Sequence, residues 1–243
     1  MKEDFERIAL LIDADNTQIS KLESAILEIS KYGKILVKRA YGNWTKDSFK
    51  NWEEIIRKLA IKPIQQIDYV KGKNATDMAL VIDAMDFLYN SEYDGFAIVS
   101  SDSDFTPLAI KLKESGKTVI GIGKKATSEA FVASCDTFVY LEDLTSTKKS
   151  SDEKNSGEKS DKDTQYSELD NLLKIVFETW QTDEGYVNVG AAGAYIGRVK
   201  PDFNIKQYDA KNLPDYLRKH KDKYEVRSYK PTSKLTVIEY KII

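Results

Sequence analysis

The chain is poor in the residues that most nucleophile and metal chemistry uses. Its 243 residues include one cysteine, Cys135, and one histidine, His220. A single cysteine rules out an internal disulfide and a cysteine-cluster zinc site; Cys135 reads as a small buried residue. A single histidine rules out strand cleavage by paired histidines, a histidine-rich metal centre, and a Ser-His-Asp triad in the first half of the chain. His220 lies among like charges in RKHKDK and reads as a surface residue. Long apolar runs are also missing. Ile8–Ile12 and Phe96–Val99 fall far short of the roughly 18 residues of a membrane span. The opening MKEDFERIALLID carries charge up to its first apolar run and lacks a signal-peptide layout. The expectation is a cytoplasmic protein with no membrane partner. Net charge is only −2, so no global field draws a polyanion. If this chain does chemistry, carboxylates and a metal are its natural tools.

Strands and helices alternate over the first 143 residues. The run IALLI at 8–12 is apolar throughout, as a strand buried on both faces should be. Further strands are expected at 35–41, 61–67 (interrupted by Pro63), 96–100, 118–122 and 137–141. Helices are expected at 20–32, with Ser20 as N-cap and Gly33 as stop, and at 49–59, 74–89, 106–115 and 128–134. In the helix at 74–89, Met78, Val81, Ile82, Met85 and Leu88 recur as one apolar face. The pattern predicts an α/β fold with a mostly parallel sheet covered on both faces. Residues 144–164 then contain almost no apolar side chain, a composition that cannot offset the entropy of ordering, and read as a flexible linker. Residues 165–243 read as a second domain. Helices at 166–180, 190–196 and 213–219, a short strand at 186–188 and a closing hairpin at 225–229 and 235–241 suggest a winged-helix arrangement. Residues 1–143 hold 19 Lys/Arg against 23 Asp/Glu, and residues 166–243 hold 13 against 11. An acidic front and slightly basic rear suit a metal site followed by a binding module.

Parallel sheets bind ligands at the carboxyl ends of their strands. Asp13 and Asp15 end the first strand, with Asn16 beside them. Ser100, Ser101, Asp102, Ser103 and Asp104 end a central one, and Asp77 opens the long helix behind KGKNAT. Three stretches thus offer carboxylates to one pocket. Gathered carboxylates repel, and some would bind protons unless a cation relieved them. All-oxygen ligands without thiolate or imidazole select Mg²⁺ or Mn²⁺ over zinc. Such an ion activates water and stabilises the transition state of phosphodiester cleavage. Plainer duties compete: turn and cap roles for Asp15, Asn16, Asp102 and Asp104, and a favourable helix-dipole position for Asp77. Asp83, about 120° further round its helix from Asp77, reads as a solvated charge.

The motifs LLIDADN, YGNW, KGKNATDMALVIDAMD and IVSSDSDFTPL, in that order, resemble the NYN branch of the PIN-like nuclease superfamily. The resemblance spans roughly residues 5–143. It implies a PIN-like fold and a metal-dependent ribonuclease, with Asp13, Asp77, Asp102 and Asp104 as catalytic, metal-binding positions, and Asp15, Asn16 and Ser101 close by. A further acidic residue common in the superfamily has Asp47 and Asp68 as candidates. The segment GYVNVGAAGAYIGRVKPDFNIKQYDAKNLPDYLRKH resembles the LOTUS (OST-HTH) winged-helix domain. That implies RNA binding, or a protein partner. It departs at DAKNL, where a glycine after the tyrosine is usual. Arg198, Lys200, Lys206, Lys211, Arg218 and Lys219 are its phosphate-contact candidates. Around the first site, Trp44 is a candidate for stacking on unpaired bases, Lys71 and Lys73 are candidates for guiding the backbone, and Trp52 is expected to pack its helix on the sheet.

The reading is therefore a metal-dependent, endonucleolytic ribonuclease acting on single-stranded RNA, with a rear module that binds structured RNA. Two alternatives remain open on sequence. One is a non-catalytic RNA-binding adaptor. The other is a phosphatase resembling the haloacid dehalogenases, with Asp13 as nucleophile and Asp15 as acid in LLIDADNT. The oligomeric state is not legible.

Overall fold

The computed structural model describes residues 6–67, 74–90, 92–144, 161–232 and 235–243. The chain divides into two compact units, Met1–Lys149 and Ser150–Ile243.

The first unit is built on a six-stranded parallel sheet of order β3-β2-β1-β4-β5-β6. Its strands are β1 (Glu6–Asp13), β2 (Gly33–Gly42), β3 (Lys62–Gln65), β4 (Gly95–Val99), β5 (Thr118–Gly123) and β6 (Thr137–Tyr140). Between them run α1 (Leu22–Ile29), α2 (Trp52–Leu59), α3 (Ala75–Tyr89), α4 (Thr106–Glu114) and α5 (Glu129–Ser134). β1 and β4 hold the centre because Ile8–Ile12 and Phe96–Val99 find apolar cover on both faces. Ile8, Leu10 and Ile12 join α1 and α2 in one core layer; Ala9 and Leu11 join α3 and α4 in the other. Pro63 is tolerated inside β3 because β3 is an edge strand, where a missing N–H breaks no ladder on its open side.

The expected α/β fold is present, with corrections of detail. Gly33 does not merely stop a helix; it opens β2. The first helix starts at Leu22 after a 3-10 turn over Ile19–Lys21, so Ser20 is not its N-cap. Ser128 does cap α5, its hydroxyl accepting the Phe131 N–H. The face of α3 is rotated from the expected one. Leu80, Ala84, Phe87 and Leu88 are buried, whereas Met78 and Ile82 are more than half exposed. The helix is apolar nearly all round, and small Ala84 lets it sit close on the sheet. Asp83 is not a solvated charge: it accepts from Arg39 at 2.6 Å and from the Tyr41 hydroxyl at 2.8 Å. Cys135 is buried, and burial pushes its thiol up to about 11.

Leu144, at the start of the expected linker, packs into the first unit, and its carbonyl accepts from Lys21 Nζ at 2.6 Å. Residues 145–160 of that linker lie outside the described residues. The second unit begins with α6 (Asp161–Trp180), five residues ahead of the expected helix. Then come β7 (Val187–Asn188), α7 (Val189–Val199), a 3-10 turn over Ile205–Tyr208, α8 (Leu213–Lys219), β8 (Tyr224–Thr232) and β9 (Leu235–Ile242). The three strands form an antiparallel sheet of order β7-β9-β8. Its core joins Leu169, Leu173, Tyr195, Ile196, Tyr216 and Tyr240. Asp170 bridges the packing: it accepts from the hydroxyls of Tyr216 and Tyr224 and from Lys223. His220 is half-buried with its ring 4.3 Å from that of Tyr216, so it is not the surface residue expected.

Gly123 ends β5 against the loop that follows β4. A Cβ there would lie 2.6 Å from the Ser100 carbonyl oxygen and 2.7 Å from Thr127 Oγ1. Gly123→Ala should therefore destabilise the first unit by about 1–3 kcal/mol, the usual range for overpacking, measured by urea unfolding. An unchanged midpoint would show that β5 and the loop after β4 are not in rigid contact.

Candidate metal and nuclease site

The strand order reverses between β1 and β4, so the crevice outside their carboxyl ends is the natural binding position. Asp13 is the last residue of β1 and Ser100 follows β4. Asp13 is 1% exposed. Its carboxylate accepts the Ser100 hydroxyl at 2.6 Å, the Asn16 side-chain amide at 2.9 Å and the Asn16 backbone N–H at 3.3 Å. Burial raises its pKa; the bonds from Ser100 and Asn16 pull the other way and Asp15 adds to the rise. The Ser100 hydroxyl also accepts the Asp102 N–H at 3.0 Å. One buried serine thus ties the end of β1 to the Asp102 turn. Thr17 lies at the same join, its hydroxyl 2.5 Å from the Asp13 carbonyl oxygen and 3.3 Å from that of Val99 at the end of β4.

Asp102 caps the 3-10 turn Ser103–Phe105, accepting the Asp104 N–H at 2.9 Å. Asp104 accepts the side-chain amide of Asn74 at 2.8 Å, which pins the start of α3 to this turn. α3 then presents Asp77 from its first turn. Burial, followed by the charges of Asp13, Asp102, Asp15 and Asp104, pushes Asp77 up to about 6. Five carboxylates from three chain segments therefore share one electrostatic neighbourhood. Asp15 and Asn16 are exposed at its mouth. Ser101 faces another duty, accepting the Lys124 N–H at 2.9 Å and so fastening β5 to the loop after β4.

The donor set fits a hard divalent cation, being all oxygen and in mutual repulsion. Among the described residues, no three His, Cys, Asp or Glu side chains close on one point as direct ligands. Asp47 is exposed and paired with Lys50 at 2.9 Å. Asp68, Lys71 and Lys73 lie outside the described residues. Trp44 stands near this end of the sheet, its indole N–H donating to the Ile64 carbonyl at 2.8 Å. Trp52 is buried against the sheet, as expected. Sequence reasoning passed over Ser100 and Asn74 as partners of the acidic residues. A serine at a strand end just before Asp-x-Asp was the available signal for the first. Nothing local marked Asn74, whose partner lies 30 residues away.

In the second unit the basic residues differ in freedom. Lys200 is paired with Glu168 at 2.6 Å, Lys219 with Asp215 at 3.3 Å, and Arg198 is half-buried with its guanidinium 5.9 Å from the Tyr195 ring centre. Lys206, Lys211 and Arg218 are exposed.

A parallel sheet with aspartates gathered at its switch point defines an α/β domain with an acidic site. Residues 7–142 match the NYN domain, and the chain belongs to that family, within the PIN-like nuclease superfamily. An uncharacterised protein of Methanocaldococcus jannaschii is 34% identical over 121 residues, covering 48% of this chain; the chain spans about half the length of that relative (47%). A solved protein of unknown function from Vibrio parahaemolyticus aligns over 59% of this chain and 97% of its own, at 19% identity and a TM-score of 0.48. An uncharacterised protein from Nitrosomonas europaea aligns over 41% and 88%, at 18% identity and a TM-score of 0.27. No helix among the described residues is long and apolar enough to cross a membrane.

The raised pKa of Asp77 has a sign. A carboxyl that holds its proton more tightly when folded stabilises the fold at low pH, fully below about 3.8, and that contribution is lost as pH rises through about 6. In metal-free protein, Asp77→Asn should raise the melting temperature of the first unit at pH 7–8 by a few degrees (~2–4 °C per kcal/mol) and leave it unchanged near pH 3.5. A variant that melts lower at pH 8 would mean the carboxylates are not in conflict.

Proposed function

We propose that the chain is a divalent-metal-dependent ribonuclease that cuts RNA internally, and that its second unit is an RNA-binding winged-helix module of the LOTUS kind. What supports this reading most is the gathering of Asp13, Asp77, Asp102 and Asp104 from three segments at the β1/β4 switch point, tied together by Ser100 and Asn74, where burial and the neighbouring charges raise Asp77 to about 6. A fold does not keep such repulsion cheaply unless a cation relieves it.

Asp13, Asp77, Asp102 and Asp104 are the residues that would hold Mg²⁺ or Mn²⁺. Such an ion, when bound, supplies charge neutralisation at the phosphate and a water acidified towards neutral pH. The chain's own groups set up the rest. Ser100 and Asn16 fix the direction in which Asp13 points. Asn74 holds Asp104 and the start of α3 together, so Asp77 and the Asp102 turn keep their separation. Asp77 must give up its proton before a cation can use it, so proton and cation compete. In the second unit, the exposed side chains of Lys206, Lys211 and Arg218 would meet phosphates. The site serves a phosphatase reading less well, because the helix bearing Asp77 has no part in it.

The deciding experiment incubates labelled single-stranded RNA with Mn²⁺ or Mg²⁺. Internal cleavage is expected, lost in Asp13→Asn. Ser100→Ala, which frees Asp13 without removing a ligand, should cost about 10–100-fold in metal affinity or rate, as partners of metal ligands do. Binding without cleavage at any metal concentration would leave an adaptor; turnover of a small phosphomonoester would favour the phosphatase.

For the second unit, the triple variant Lys206→Ala/Lys211→Ala/Arg218→Ala should bind RNA more weakly and with a shallower salt dependence. The slope of log affinity against log salt should fall by about 2–3, at ~0.7 per single-strand and ~0.9 per duplex phosphate contact. Cleavage of short RNA at saturation should be spared. An unaltered slope would remove RNA from this face.

A further inference from the structure

Past the carboxyl end of β2 lies a cavity of about 410 Å³ walled by Trp44, Phe49, Trp52, Ile56 and Pro63. We propose that this cavity is a nucleotide subsite, which takes one unstacked base of a single-stranded RNA and meets the adjoining phosphate at its rim. The inference rests on the ribonuclease reading for the identity of the polymer.

The walls suit a flat, apolar-faced ligand. Trp44 meets Phe49 edge-on at 5.0 Å and Trp52 at 5.7 Å, which builds a rigid aromatic corner before anything binds. Phe49 and Trp52 are buried and Trp44 is half-buried, so Trp44 is the ring with surface to offer. Its N–H is already committed to Ile64, which leaves a ligand the π surface and not a donor. Bases stack on such surfaces whatever their sequence, typically for about 1–3 kcal/mol each. The volume lies within the range of small-molecule pockets.

The rim carries three cations, Lys46, Lys50 and Arg57, against two carboxylates, Asp47 and Glu53. Lys50–Asp47 and Arg57–Glu53 are ion pairs with every side chain at least 70% exposed. Exposed pairs of this kind contribute little and exchange readily. A phosphate oxygen offers the same cations a stronger charged hydrogen bond. A neutral peptide would fill the walls and give the cations nothing.

Position links the cavity to the cleavage site. Trp44 lies just past the end of β2, and Tyr41 of β2 is the register partner of Asp13. The walls belong to the α1/α2 layer, whereas Tyr41 and Leu11 belong to the α3/α4 layer. A strand crossing the carboxyl edge of the sheet would meet both.

The test uses the full chain without metal, titrated with a short single-stranded oligoribonucleotide and separately with a nucleoside 5′-monophosphate. The readout is the indole N–H resonances of Trp44 and Trp52 by NMR. Both should shift with either ligand. The double variant Lys50→Ala/Arg57→Ala, which alters only exposed side chains, should weaken oligonucleotide binding about tenfold. In the cleavage assay it should raise KM with kcat unchanged. Resonances unmoved at oligonucleotide concentrations that saturate the chain would overturn the subsite, as would an oligonucleotide affinity, read from the same shifts, that is unchanged in the double variant. The two readings fail separately. Metal-dependent cleavage with unmoved indoles removes the subsite and keeps the nuclease; shifted indoles without cleavage of any RNA keep the subsite and remove the nuclease.

Discussion

The hydroxyl of Ser100 stands between two chain segments that the first unit must hold in register. It donates to the buried carboxylate of Asp13 and accepts the N–H of Asp102. Without that join, a carboxylate 1% exposed at the end of β1 would lose the nearest group that offsets its burial. Much else at the carboxyl edge follows from it. The Asp102 turn is set by Ser100, Asp104 by the turn, and Asn74 and the start of α3 by Asp104. Asp77 is thereby brought into repulsion with the other acidic residues.

The sheet supplies the rigidity that this crowding needs. β1 and β4 are packed on both faces, so their ends cannot relax apart to relieve the charges. Gly123 lets β5 close against the Ser100 carbonyl, and Ser101 fastens that contact through the Lys124 N–H. The acidic site thus gathers like charges around a half-buried Asp77 on a scaffold held rigid by packing. A cation that binds there gains from the folding energy already spent on the scaffold, the usual logic of a preorganised site.

The second unit follows a different rule. Its core is rich in tyrosine, and the hydroxyls of Tyr216 and Tyr224 both converge on Asp170. The polar ends of large side chains are satisfied inside, while four of the expected basic contacts, Lys206, Lys211, Arg218 and Lys219, stay outside and exposed. Arg198 and Lys200, equally basic in sequence, are drawn into packing and an ion pair instead.

The strand and helix order, the parallel α/β class and the strand ends bearing Asp13, Asp102 and Asp104 were legible in the sequence. Apolar runs and period-3.6 spacing depend only on near neighbours in the chain. The face of α3 was not legible, because a helix apolar nearly all round has no preferred side until a sheet is placed against it. Asp83 looked solvated because its partners, Arg39 and Tyr41, are more than 40 residues away. The bonds from Ser100 to Asp13 and from Asn74 to Asp104 span 87 and 30 residues. Composition and spacing alone put aspartates at strand ends. Only tertiary structure decided that five of them share one field, because Coulomb repulsion and burial act through space between segments the chain keeps far apart.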